Sequence, residues 1–92
     1  MHHAMAVGAL AALGDELRLT LYRLLVKRGP EGYPAGEIGE RLDLAPSKLS
    51  FHLKVLSEAG LVTARRDGRF LIYAARFDAM NALLAYLTEN CC

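Results

Sequence analysis

The sequence predicts a mainly α chain carrying one β-hairpin, in the order of a winged helix-turn-helix. Three observations point there. Residues 46–59 have helical apolar spacing and stop at Gly60, and two β-prone runs flank Asp67-Gly68 just beyond. Only three residues separate the end of a second helical pattern from Pro46. With 92 residues the chain is one domain, 1–92, whose first five residues read as an expression scar, so His2 and His3 carry little weight. Its last part, 77–92, reads as a dimerisation helix with a thiol tail.

Each element follows from its residues. Residues 4–13 form a short Ala-rich helix with little polar surface. Gly14-Asp15 is a break followed by a good N-cap, and Leu17, Leu21, Leu24 and Leu25 then recur on one helical face. Gly29-Pro30 ends that helix, and residues 31–34 read as loop. Residues 35–42 form a short helix with Ile38 and Leu42 facing inward, and 43–45 form a turn. Pro46 suits the first position of the next helix, with Leu49, Leu53 and Leu56 as its buried stripe and Gly60 as its C′ residue. Residues 61–66 and 69–75 read as strands around an Asp67-Gly68 hairpin turn. In the final helix, 77–90, Phe77, Met80, Leu84 and Leu87 are spaced 3-4-3, as in a seam that meets a partner helix.

Net charge is only +1, but it is unevenly spread. Residues 44–69 hold five basic groups (Lys48, Lys54, Arg65, Arg66 and Arg69) against two acidic ones. On the helix after Pro46 the polar side chains Ser47, Lys48, Ser50, His52 and Lys54 fall outward, together with Phe51. Such groups reach base edges and phosphates in a major groove, and the helix N-terminus favours phosphate. Phe51 has two readings: contact with a thymine methyl or another helix, and packing under the wing. At the hairpin, alternation puts Arg65 and Arg66 on opposite faces, and Arg66 and Arg69 are the favoured phosphate contacts. Cys91 and Cys92, the only cysteines, are adjacent thiols suited to soft ions and ill placed to form a disulfide with each other. They point to a reducing, cytoplasmic compartment. Apolar residues make up 53% of the chain, yet no apolar run reaches the ~20 residues of a membrane span. A second copy would account for the apolar excess. No nucleophile with a base, phosphate loop or carboxylate pair marks an enzyme.

The runs Ala12-Leu13-Gly14-Asp15-Glu16-Leu17-Arg18-Leu19, Ser50-Phe51-His52-Leu53-Lys54-Val55-Leu56-Ser57-Glu58-Ala59-Gly60-Leu61-Val62 and Arg66-Asp67-Gly68-Arg69 with Tyr73 resemble the ArsR/SmtB family of metal-sensing repressors. The resemblance implies a homodimer built on the first and last helices. It implies recognition helices in successive major grooves of double-stranded operator DNA, and release when an inducer ion binds. Two sensor sites of that family have no counterpart. No Cys-x-Cys precedes the recognition helix, where Tyr33-Pro34-Ala35-Gly36-Glu37 stands, and the last helix has no His. The ending is similar to that of arsenical-responsive members with a vicinal Cys pair. It implies As(III) or Sb(III) bound at Cys91 and Cys92, with a third ligand from a longer native tail, the other subunit or a small-molecule thiol. Two other outcomes stay open: sensing of another soft metal or of oxidants by the same thiols, and a protein-interaction module that does not bind DNA.

Overall fold

A computed structural model describes residues 1–91. In chain order the elements are α1 (His3–Leu13), α2 (Glu16–Arg28), β1 (Tyr33–Pro34), α3 (Ala35–Leu42), α4 (Pro46–Glu58), β2 (Val62–Asp67), β3 (Phe70–Ala75) and α5 (Phe77–Leu87). The strands form one antiparallel sheet in the order β1-β3-β2. The winged helix-turn-helix order read from the sequence is the one observed.

The core lies where α2, α3, α4 and the sheet meet. Leu21, Leu25, Ile38, Leu56 and Leu61 are fully buried, and each is worth roughly 1.5–3 kcal/mol relative to exposure. Helix α1 packs by its smallest side chains, Ala6, Ala9 and Ala12, so its backbone lies close to the body while Met5, Val7 and Leu10 face solvent. Helix α4 ends in a Schellman motif: the Leu61 N–H donates to the Leu56 carbonyl and the Gly60 N–H to that of Ser57. Leu56 and Leu61 are both fully buried there, and the Arg76 N–H donates to the Leu61 carbonyl at 2.8 Å. The end of the recognition helix, the start of the wing and the start of α5 are thus fastened at one point.

Five details differ from the sequence reading. Helix α1 begins at His3, not at residue 4, and His3 Nδ1 shares a 2.6 Å hydrogen bond with the Tyr86 hydroxyl of α5. Tyr33 and Pro34 are not loop: they form an edge strand, Tyr33 opposite Tyr73, where a proline lacking an N–H is tolerated. Gly32 makes this possible, because a Cβ there would stand 2.3 Å from the Tyr73 carbonyl oxygen. The wing turn is Gly68-Arg69, not Asp67-Gly68, since Asp67 pairs with Phe70. Gly68, at φ +61°, takes the first central position, where a type II′ hairpin requires glycine. Helix α5 stops at Leu87, three residues early. Finally, Tyr22 and Leu83 join the core, though neither was on an expected stripe. The Phe77, Leu84 and Leu87 side chains of the expected seam face solvent.

Tyr33 also ties the front of the molecule together. The guanidinium carbons of Arg28 and Arg41 lie 4.7 and 4.6 Å from its ring centroid, so the end of α2, β1 and α3 share one aromatic anchor.

Candidate nucleic-acid interface

Helix α4 starts without a side-chain cap, because Ala45 holds the capping position and Pro46 the first turn. Its first N–H groups are therefore open to an external acceptor such as a phosphate. Leu49, Leu53 and Leu56 are buried as expected. Ser47, Lys48, Ser50, Phe51 and Lys54 are all exposed. Ser47, Ser50, Phe51 and Lys54 follow the i, i+3, i+4, i+7 spacing of one helical face. Phe51 is 58% exposed, so it does not pack under the wing.

His52 is the correction. It is 7% exposed and lies with the core face of α4. Its Nδ1 accepts a hydrogen bond from Arg18 Nη1 at 3.1 Å. A guanidinium only donates, so the imidazole proton sits on Nε2. The physical reason was present in the spacing: Leu49, His52, Leu53 and Leu56 complete an i, i+3, i+4, i+7 stripe, and the ring's polarity drew it to the wrong face. Arg18, which the sequence reading left without a role, is the residue that makes this burial possible. Its Nε donates to the Ala12 carbonyl at 2.6 Å, and its backbone N–H donates to Asp15 Oδ2 at 3.0 Å. That last bond holds the Asp15 carboxyl below the usual carboxylate range.

On the wing, Arg65 is exposed but tethered. Its guanidinium donates to the Glu31 carbonyl at 2.8 Å and to that of Pro30 at 3.3 Å, bracing the wing against the loop after α2. Arg66, on the opposite face of β2, is exposed, and so is Arg69 at the turn. The guanidinium carbon of Arg69 lies 5.7 Å from the Phe70 ring centroid. The structure thus leaves exposed the α4 residues Ser47, Ser50, Phe51 and Lys54 and the wing arginines Arg66 and Arg69, while His52 is buried.

Cys91 lies beyond α5, after a turn in which its N–H donates to the Thr88 carbonyl and Asn90 adopts φ +62°. Its side chain is exposed. Cys92 lies outside the described residues. Among the described residues no three His, Cys, Asp or Glu side chains cluster as a metal site, and no helix is long and apolar enough to cross a membrane.

Comparison with known proteins agrees with this geometry. A sequence model of helix-turn-helix domains matches residues 13–65. The uncharacterized HTH-type transcriptional regulator YceK of Bacillus subtilis is 38% identical over 79 residues, 86% of this chain and 78% of that protein. The arsenical resistance operon repressor of the same organism is 35% identical over 81 residues, 88% of this chain and 73% of the repressor. Among solved structures, an ArsR-like transcriptional regulator from Rhodococcus sp. RHA1 superposes with a TM-score of 0.84 at 28% identity, covering 95% of this chain and 79% of that one.

Proposed function

The chain belongs to the ArsR-type family of winged helix-turn-helix transcription regulators, and on that premise we propose that it is a homodimeric repressor whose operator is released when As(III) or Sb(III) binds at Cys91 and Cys92. The carrying observation is the pairing of two surfaces. One is the exposed α4 face of Ser47, Ser50, Phe51 and Lys54 together with the exposed wing arginines Arg66 and Arg69. The other is the apolar surface of Met5, Val7 and Leu10 on α1 and of Phe77, Leu84 and Leu87 on α5. The first suits a groove and its phosphates. The second suits a copy of itself, and a dimer sets two recognition helices at a fixed spacing.

The relatives are regulators, not enzymes, and regulation needs only modest coupling. A 5- to 150-fold loss of operator affinity corresponds to about 1–3 kcal/mol between the ion and DNA sites. The thiols follow the α5 surface assigned to the dimer, so ion binding there changes the angle between subunits. Similarity to an arsenical resistance operon repressor supports arsenic as the inducer. The test is to titrate an operator complex with arsenite, zinc and cadmium in parallel. Arsenite is expected to release the DNA. Cys91→Ser/Cys92→Ser protein is expected to bind operator with unchanged affinity and to ignore arsenite. Normal release from that variant would remove the thiols from the mechanism. The exposed Cys91 thiol also favours a second reading, oxidant sensing. Metal-free release by peroxide, reversed by a reductant, would establish it.

A further inference from the structure

We propose that Phe51 is the base-reading residue of this chain and that it reads the 5-methyl group of a thymine in the major groove. The inference rests on the DNA-binding reading and names a group that reading leaves open.

Phe51 is the one large apolar side chain on an otherwise polar helix face. It is 58% exposed, among Ser47, Ser50 and Lys54. The serines and lysine can bond to base edges or to phosphate. A phenyl ring can do neither. In the major groove the four base pairs present donors, acceptors and a single kind of apolar group, the thymine methyl. A side chain without hydrogen-bonding capacity therefore has one base feature to recognise.

The ring is also oriented before any DNA arrives. It stands edge to face with His52, with centroids 5.3 Å apart and planes at 69°. His52 is held by Arg18, and Arg18 is held by the Ala12 carbonyl and by its backbone bond to Asp15. The polar network is thus on the core side, and the apolar ring is on the outer side. His52 acts as a positioning residue for Phe51. Phe70, the other well-exposed aromatic near the interface, differs in place: it sits at the foot of the wing turn beside Arg69, where phosphates are the expected neighbours.

The test uses full-length protein and a duplex selected from a random pool, with each thymine replaced in turn by deoxyuridine. That change removes the methyl and keeps base pairing. Wild-type protein is expected to lose about 4-fold in affinity at one thymine per half-site, and about 15-fold when both are replaced. A 5-methylcytosine pair set at that position in place of an unmethylated one should gain a similar factor. Phe51→Ala, an exposed substitution, should bind thymine and deoxyuridine duplexes equally. His52→Gln keeps an acceptor for Arg18 but removes the ring behind Phe51, and it should at least halve the thymine-to-deoxyuridine ratio. Equal binding of both duplexes by wild type at every position overturns the proposal, as does a methyl preference that survives in Phe51→Ala. An unchanged ratio in His52→Gln overturns the positioning role. Failure to bind any duplex overturns the repressor reading together with this one.

Discussion

Helix α4 and the α1/α5 pair both hold large side chains in solvent, but with opposite chemistry. Along residues 47–54 of α4 the exposed groups are hydroxyls, ammonium groups and one phenyl ring, and the wing adds guanidinium groups. Along α1 and α5 they are Met5, Val7, Leu10, Leu84 and Leu87, with no cation among them. Both helical faces depart from the usual rule that large apolar groups go inside. On α4 the departure is a single ring within a polar surround. On α1 and α5 it is several large aliphatic side chains, Met5, Val7, Leu10, Leu84 and Leu87. One region exposes charge and hydrogen-bonding groups, the other aliphatic side chains.

The sharpest way to break that contrast is Leu84→Glu. Placing a carboxylate in the apolar surface should yield monomers by light scattering and cost about 100-fold or more in operator affinity, because two half-sites would no longer be bound together. Retained dimerisation would show that α5 is not the interface. Gly32→Ala comes next and tests the scaffold that both regions share. The added Cβ would collide with the Tyr73 carbonyl at a residue with φ +66°, so a loss of roughly 2 kcal/mol in chemical denaturation is expected. On the α4 side, Lys48→Ala and Arg69→Ala should each lower the slope of log affinity against log salt by about 1 per half-site, leaving the dimer intact. An unchanged slope would take that residue off the DNA face. The smallest effect concerns pH. The Asp15 carboxyl is held low chiefly by the Arg18 N–H. Its contribution to stability is therefore complete above the ordinary carboxylate value and is lost as pH falls through the lowered one. Thermal melts of Asp15→Asn should accordingly depend less on pH below about 4 than those of wild type.

The two regions were not equally legible in the sequence. Helical spacing located Leu49, Leu53 and Leu56, and Gly60 fixed where the recognition helix ends, since both signals are local. The wing was found but its turn was displaced by one residue. Asp-Gly and Gly-Arg are both acceptable hairpin turns, and only pairing of Asp67 with Phe70 decides between them. Tyr33-Pro34 was unreadable as a strand because its partner, Tyr73, is forty residues away. His52 failed for a different reason. A titratable side chain on the core stripe is costly unless something satisfies it, and the satisfying group belongs to another helix. The outward α1 and α5 side chains were legible as apolar, and the structure adds that Leu83, rather than Leu84, turns to the core.

The Arg18 guanidinium gives the chain a shortcut. Along the backbone, the end of α1 and the middle of α4 are separated by α2, β1 and α3. Through Arg18 they are two hydrogen bonds apart, 2.6 Å to Ala12 and 3.1 Å to His52. Neither contact has slack, since hydrogen bonds weaken steeply once stretched or bent. One side chain therefore ties the end of α1 to the helix that carries Phe51.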